Sequence, residues 1–305
     1  MPLHPESEAF IAALKAQNAP AWDSMPASQA RDVFAGLGPL FGEPVEVDSI
    51  QDIRIQDQIP ARVYRSSAND SGRVVVYYHG GGWVLGNIET HHALCSRIAQ
   101  AGQTTVVSVD YRLAPDHPFP AAFDDCYDAA AYVSAHPEDL GIDPQKLVVA
   151  GDSAGGNLAA AVAIQARDKK AFPIHSQLLI YPVIDTDFET QSYRDCAEDF
   201  GLTRDVMKWF WRQYIGDSLS TENPLAAPGK STDLTNLPPA SILLAEYDIL
   251  RDEGLNYARR LEQAGNPVHL KQYEGLLHGF IHFSGAFDSA SQAIQDIGEI
   301  LHRIS

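Results

Sequence analysis

The chain has 305 residues, 22 Lys and Arg against 40 Asp and Glu, and hence a formal net charge of −18. At 45% hydrophobic and 20% charged residues it has the composition of a globular protein, too apolar for disorder and too mixed for a fibre. So acidic a surface repels phosphate backbones and anionic headgroups, which argues against nucleic acid or a membrane surface as a partner.

The opening residues, Met1 to Glu8, lack the basic and apolar regions of a secretory signal, and no window approaches eighteen consecutive apolar residues. Cys95, Cys126 and Cys196 are odd in number and irregular in spacing, which fits neither a disulfide framework nor a zinc site. A reduced cytoplasmic protein without membrane insertion is the expectation. Residues 6–40 read as amphipathic helices. Phe10, Ile11 and Leu14 fall at helical spacing, a Pro-interrupted turn follows, and a second helix ends near Gly36. From there strand and helix signals alternate. Residues 73–78, 104–109, 146–150, 177–181 and 241–245 are short runs rich in β-branched, aromatic and aliphatic side chains, as in strands buried on both faces. Helical stretches are expected near 88–101, 119–135, 154–168 and 252–264. The alternation specifies an α/β fold, a mostly parallel central sheet with helices on both faces. Residues 186–221 interrupt it with a helical, aromatic-rich segment carrying Met207, Trp209, Phe210, Trp211 and Tyr214. Such a segment is either core or, from its place on the carboxyl side of the sheet, a lid over a site.

The first motif with chemical content is His79-Gly80-Gly81-Gly82-Trp83, directly after a strand. Three glycines leave backbone N–H groups unobstructed, so that they can converge on a developing oxyanion. A phosphate cradle would want Lys, Ser or Thr next, and Trp83-Val84-Leu85 supplies none. The second is Gly151-Asp152-Ser153-Ala154-Gly155, a G-x-S-x-G turn between strand and helix. Alone the pattern is weak. In this setting it is a nucleophile elbow, which lifts a serine hydroxyl above a helix N-terminus. A serine nucleophile needs a base, and the base needs an orienting acid. In this architecture both follow the serine in the chain. His278, in the loop Gly275 to Phe280, is the reachable imidazole, with His282 its nearest rival; His269 lies in a strand and His302 in a terminal helix. Among the acids, Asp248 falls just past the strand 241–245, whereas Asp252 suits a helix cap or first turn and stands second.

Together with Asp110-Tyr111-Arg112-Leu113-Ala114-Pro115, these motifs resemble the hormone-sensitive-lipase-like esterases, which are α/β-hydrolases, and the likeness runs through nearly the whole chain. The resemblance implies Ser153 as nucleophile, Asp248 as acid and His278 as base, with the amides of Gly81, Gly82 and Ala154 as oxyanion donors. Family members often have Pro after the catalytic Asp, where this chain has Ile249. The resemblance also implies a helical cap from residues 1–45 and 186–221 over a catalytic core of 46–185 and 222–305. Acyl-pocket walls are then expected from Trp83, Trp209, Phe210, Trp211 and Tyr214, with Phe10 and Trp22 added from the N-terminal helices. The expected activity is hydrolysis of small, short-to-medium acyl esters through an acyl-enzyme, with no cofactor and no metal, and with a homodimer left open. Two rivals share the fold: a silent small-molecule receptor, and an amidase or lactonase using the same three residues.

Overall fold

A computed structural model describes residues 2–17, 21–66 and 72–303. The Pro-interrupted turn expected between the first two helices falls partly on residues 18–20 and to that extent lies outside the described residues. Eight strands form one sheet: β1 (Ser49–Ile55), β2 (Ile59–Arg65), β3 (Val74–Tyr78), β4 (Thr105–Val109), β5 (Leu147–Asp152), β6 (Ser176–Ile180), β7 (Ala240–Tyr247) and β8 (Val268–Leu277). Their order across the sheet is β1-β2-β4-β3-β5-β6-β7-β8. The pairings from β4 to β8 are parallel, while β1 pairs with β2 and β2 with β4 antiparallel.

The parallel strands are apolar throughout because both of their faces are covered. Along β3, Val74, Val76 and Tyr78 enter one core while Val75 and Tyr77 enter the other, and β5 repeats the division with Leu147 and Val149 against Val148 and Ala150. That two-residue period sends each strand's side chains to opposite layers. One layer holds α4 (Ala121–Ala135), α6 (Ala154–Lys169) and α9 (Arg251–Gln263); the other holds α3 (His92–Gly102) and α10 (Ser289–His302). Helix α6 lies against the sheet so closely that a Cβ on Gly155 would overlap the Tyr78 carbonyl. Glycine there is a condition of the strand–turn–helix, and any larger residue would lift α6 off β3.

Three helices crowd the carboxyl ends of the parallel strands: α1 (Pro5–Gln17), α2 (Ala27–Ala35) and, beyond the short α5 (Pro137–Leu140) and α7 (Gln191–Asp195), α8 (Arg204–Ile215). The segment 186–221 is thus two capped helices with loops around them. Thr190 and Thr203 each accept an amide of the helix that follows. Asp199 and Gly201 between them adopt positive φ, which no helix continues through. Among the described residues no helix is long and apolar enough to cross a membrane.

Candidate active site

Ser153 joins β5 to α6 with φ 55° and ψ −116°, a conformation that costs a non-glycine residue about 1–3 kcal/mol. Its surroundings impose it. The Ser153 amide donates to Ile180 O at 2.8 Å, and its carbonyl accepts from Val183 N and Asn157 N, both at 3.1 Å. The residue is therefore pinned between α6 and the loop after β6, with its hydroxyl turned outward from the strand end.

His278 follows the end of β8, and Asp248 the end of β7. His278 Nδ1 donates to Asp248 Oδ2 at 2.7 Å, and Ser153 Oγ lies 3.0 Å from His278 Nε2. A carboxylate on Nδ1 holds the proton there and leaves the Nε2 lone pair facing the hydroxyl. Asp248 is itself buried, and its other oxygen accepts the Leu250 amide at 2.9 Å. The competing residues sit elsewhere. Asp252, in the first turn of α9, accepts the Ser192 amide at 2.8 Å and ties α7 to α9. His282 is buried, with Nε2 donating to Thr90 O at 2.9 Å.

The glycine loop is held from below. Gly80 N donates to Asp152 Oδ1 at 2.9 Å, His79 Nδ1 donates to Gly80 O at 2.8 Å, and Tyr111 Oη donates to His79 O at 2.6 Å. Gly81 and Gly82 then take φ values of 110° and 60°, which favour glycine. Their amides donate to no protein acceptor among the described residues, and Ala154, as the first residue of α6, has no intrahelical acceptor. Asp152, whose aspartate was not singled out in the sequence, is a hub: its carboxylate also accepts Tyr77 Oη at 2.8 Å and lies 3.4 Å from His91 Nε2. Burial would raise its carboxyl, but the facing His91, its hydrogen bonds and His282 hold it well below the usual carboxylate range. Burial and the neighbouring His91 push both His79 and His282 down to about 3. Ligand atoms of His91, Asp152 and His282 lie within 4.8 Å of one another. The rings of His91 and His282, however, are stacked at 3.9 Å and 9°. In-plane lone pairs of parallel imidazoles do not converge on the ~2.0–2.1 Å bonds of zinc, so the cluster suits hydrogen bonding.

A cavity of about 150 Å³ opens onto Ser153 and His278, walled by Phe10 and Leu14 of α1, Phe34 of α2, Leu202, and Met207 and Phe210 of α8. Of the five aromatics expected around an acyl chain, Phe210 lines it and four do not. Trp83 stacks on Tyr214 at 4.2 Å and 4°, with Trp211 at 4.6 Å, all fully buried. Trp209 lies behind Phe210 at 5.1 Å. The apolar stripe of α8 divides along its length: early residues meet the cavity and later ones pack on Trp83. The expected Phe10 and Trp22 do line it, and Leu14, Phe34, Leu202 and Met207 are further walls, of which Leu14 is signalled in the sequence by its i, i+4 spacing from Phe10.

A family profile described as the alpha/beta hydrolase fold matches residues 75–282. The chain is 44% identical over 240 residues to the carboxylesterase NlhH of Mycobacterium tuberculosis, covering 77% of this chain and 75% of that one. It is 33% identical over 316 residues to an ethyl acetate hydrolase of Pseudomonas putida, covering 99% of each. Among solved structures it is similar to the hyperthermophilic esterase of Pyrobaculum calidifontis, with a TM-score of 0.92 and 41% identity over 99% of this chain and 98% of that one.

Proposed function

Because the chain belongs to the alpha/beta hydrolase family and is a carboxylic ester hydrolase, we propose that it cleaves short-to-medium acyl esters with Ser153 as nucleophile, His278 as base and Asp248 as its orienting acid. The carrying observation is the unbroken chain of 3.0 Å and 2.7 Å contacts from Ser153 Oγ through the imidazole to Asp248. His278 Nε2 takes the serine proton as Oγ attacks the ester carbonyl. The tetrahedral oxyanion is held by the amides of Gly81, Gly82 and Ala154, and the same imidazole then protonates the leaving alcohol. Water repeats the sequence on the acyl-enzyme and releases the acid. No step calls on a cofactor. In this reading residues 1–45 and 186–221 are the cap, and 46–185 with 222–305 the catalytic core. Three buried, unpaired cysteines are in keeping with a reducing cytoplasm.

The acyl limit comes from the cavity. A mainly apolar space of about 150 Å³ takes a body the size of benzene, and its walls gain about 0.8 kcal/mol for each methylene they cover, or about fourfold in kcat/KM. A nitrophenyl ester series from C2 to C16 should rise to about C6 and fall beyond, while Ser153→Ala, folded, should be inert. Phe210→Ala and Met207→Ala should move the optimum to longer chains; Trp211→Ala should lower stability and leave the profile in place. Undiminished turnover of C16, or equal profiles in all the variants, would reject this pocket. Amide and lactone substrates in the same panel separate an esterase from an amidase or lactonase.

A further inference from the structure

His91 lies outside the set of groups that contact substrate in the reading above, yet it is wholly buried beneath the glycine loop. Its ring is fixed on both faces, stacked on His282 at 3.9 Å and tilted against His79 at 5.3 Å. Both ring nitrogens have polar neighbours. Nδ1 lies 3.0 Å from Thr90 Oγ1, a hydroxyl that is also 3.0 Å from Asn87 O. Nε2 lies 3.3 Å from the Gly80 amide nitrogen and 3.4 Å from Asp152 Oδ1, the oxygen that accepts that amide at 2.9 Å.

We propose that His91 is a positioning residue for the oxyanion site, setting the direction of the Gly81 N–H through its hold on the Gly80 amide and on Asp152. The geometry runs through two peptide planes. The Gly80 N–H fixes the plane between residues 79 and 80. The Gly80 carbonyl, held by His79 Nδ1 at 2.8 Å, fixes the next plane, and in a trans peptide the Gly81 N–H points opposite to that carbonyl. With both planes set, Gly80 has no freedom left despite lacking a side chain. If the Gly80 amide and its acceptor Asp152 lose the His91 contact, the first plane can rock, and the Gly81 amide with it. Such a fault is small in the ground state and is felt where negative charge develops.

The inference rests on the Ser153 esterase reading, and the test separates the two. Asn at 91 places its amide where Nδ1 was and keeps the Thr90 contact while losing Gly80 and Asp152; Gln reaches the Nε2 position and keeps a polar group against both. Expected for His91→Asn is a kcat about ten- to a hundredfold lower on nitrophenyl butyrate, KM within about twofold, and a parallel loss of affinity for a trifluoromethyl ketone that forms a tetrahedral adduct. His91→Gln should recover about tenfold of that loss. Both variants lack the imidazole stack, so a merely structural role would affect them alike. Equal kcat in the two, an effect confined to KM, or unchanged ketone affinity overturns the proposal. Should His91→Asn fail to fold, His91→Phe keeps a ring in the stack and removes both nitrogens, and an unaltered kcat and ketone affinity there overturns it equally. Titration with a nitrophenyl phosphonate counts reactive Ser153 in each preparation; wild-type protein that is neither labelled nor active would refute the esterase reading instead.

Discussion

At Asp248 one carboxylate oxygen receives His278 Nδ1–H and the other the Leu250 amide, so the side chain has no room to turn. Asn in its place either presents an N–H to Nδ1 or forfeits the Leu250 contact; the first choice flips the imidazole tautomer. Asp248→Asn is therefore expected to lower kcat by about four orders of magnitude. Asp252→Asn keeps an oxygen for the Ser192 amide and should cost less than about tenfold; steady-state kinetics on one ester ranks the two, and the reverse order would move the acid to Asp252. Residue types at motif spacing single out Ser153, Asp248 and His278 because each stands at a strand end, where loop and chemistry coincide. The pocket walls were less legible. An aromatic stripe such as Met207, Phe210, Trp211 and Tyr214 has one appearance in sequence whether it faces a cavity or Trp83, and the choice is made by tertiary packing. Asp152 escaped notice as a hub for a similar reason, since its partners Tyr77, Gly80 and His91 come from distant stretches of chain.

The short helix α7 shows how an element far from the chemistry can steady it. Ser192 Oγ donates to Ile249 O at 2.6 Å and accepts Asp252 N at 3.2 Å, so α7 is fastened to the loop that carries Asp248. This loop has Ile249 where a proline would stiffen it, and the serine supplies the missing restraint from outside. Ser192→Ala leaves a buried carbonyl without its partner, and about 1–3 kcal/mol of stability should be lost. The urea midpoint would read that loss, and a midpoint equal to wild type would count against the fastening. At this scale the parallel strands were legible because burial on both faces makes them uniformly apolar. Strands β1 and β2 were not, since β1 is Ser-Ile-Gln-Asp-Ile-Arg-Ile with most of its side chains partly or fully exposed. A hairpin of that kind is specified by pairing with β4 more than by its own hydrophobicity.

Across the whole molecule, the buried imidazoles make stability depend on acidity. His79 and His282 have folded values pushed down to about 3, against an ordinary unfolded value of about 6.5. Below about 6.5 the unfolded chain binds two protons that the folded chain refuses, so their contribution to stability is whole above that pH and drains away toward pH 3. The slope is at most about 1.4 kcal/mol per pH unit for each, or about 4 kcal/mol in all by pH 5. Urea midpoints from pH 7.5 to 5 should fall accordingly, and His282→Phe should roughly halve the slope; a flat profile would show that these imidazoles accept protons in place. The same imidazoles belong to a column of rings: Phe41, His282, His91, His79 and Tyr111, with successive centroids at 4.4, 3.9, 5.3 and 4.2 Å. It runs from the segment after α2 to the motif after β4, directly beneath the glycine loop. Each imidazole thus sits in the magnetic shielding cone of a neighbour, and its carbon-bound protons should resonate upfield of those of exposed histidines. Loosening of the N-terminal segment would move Phe41 first and shift the His282 signal, giving the closure of the site a reporter that needs no substrate and no label.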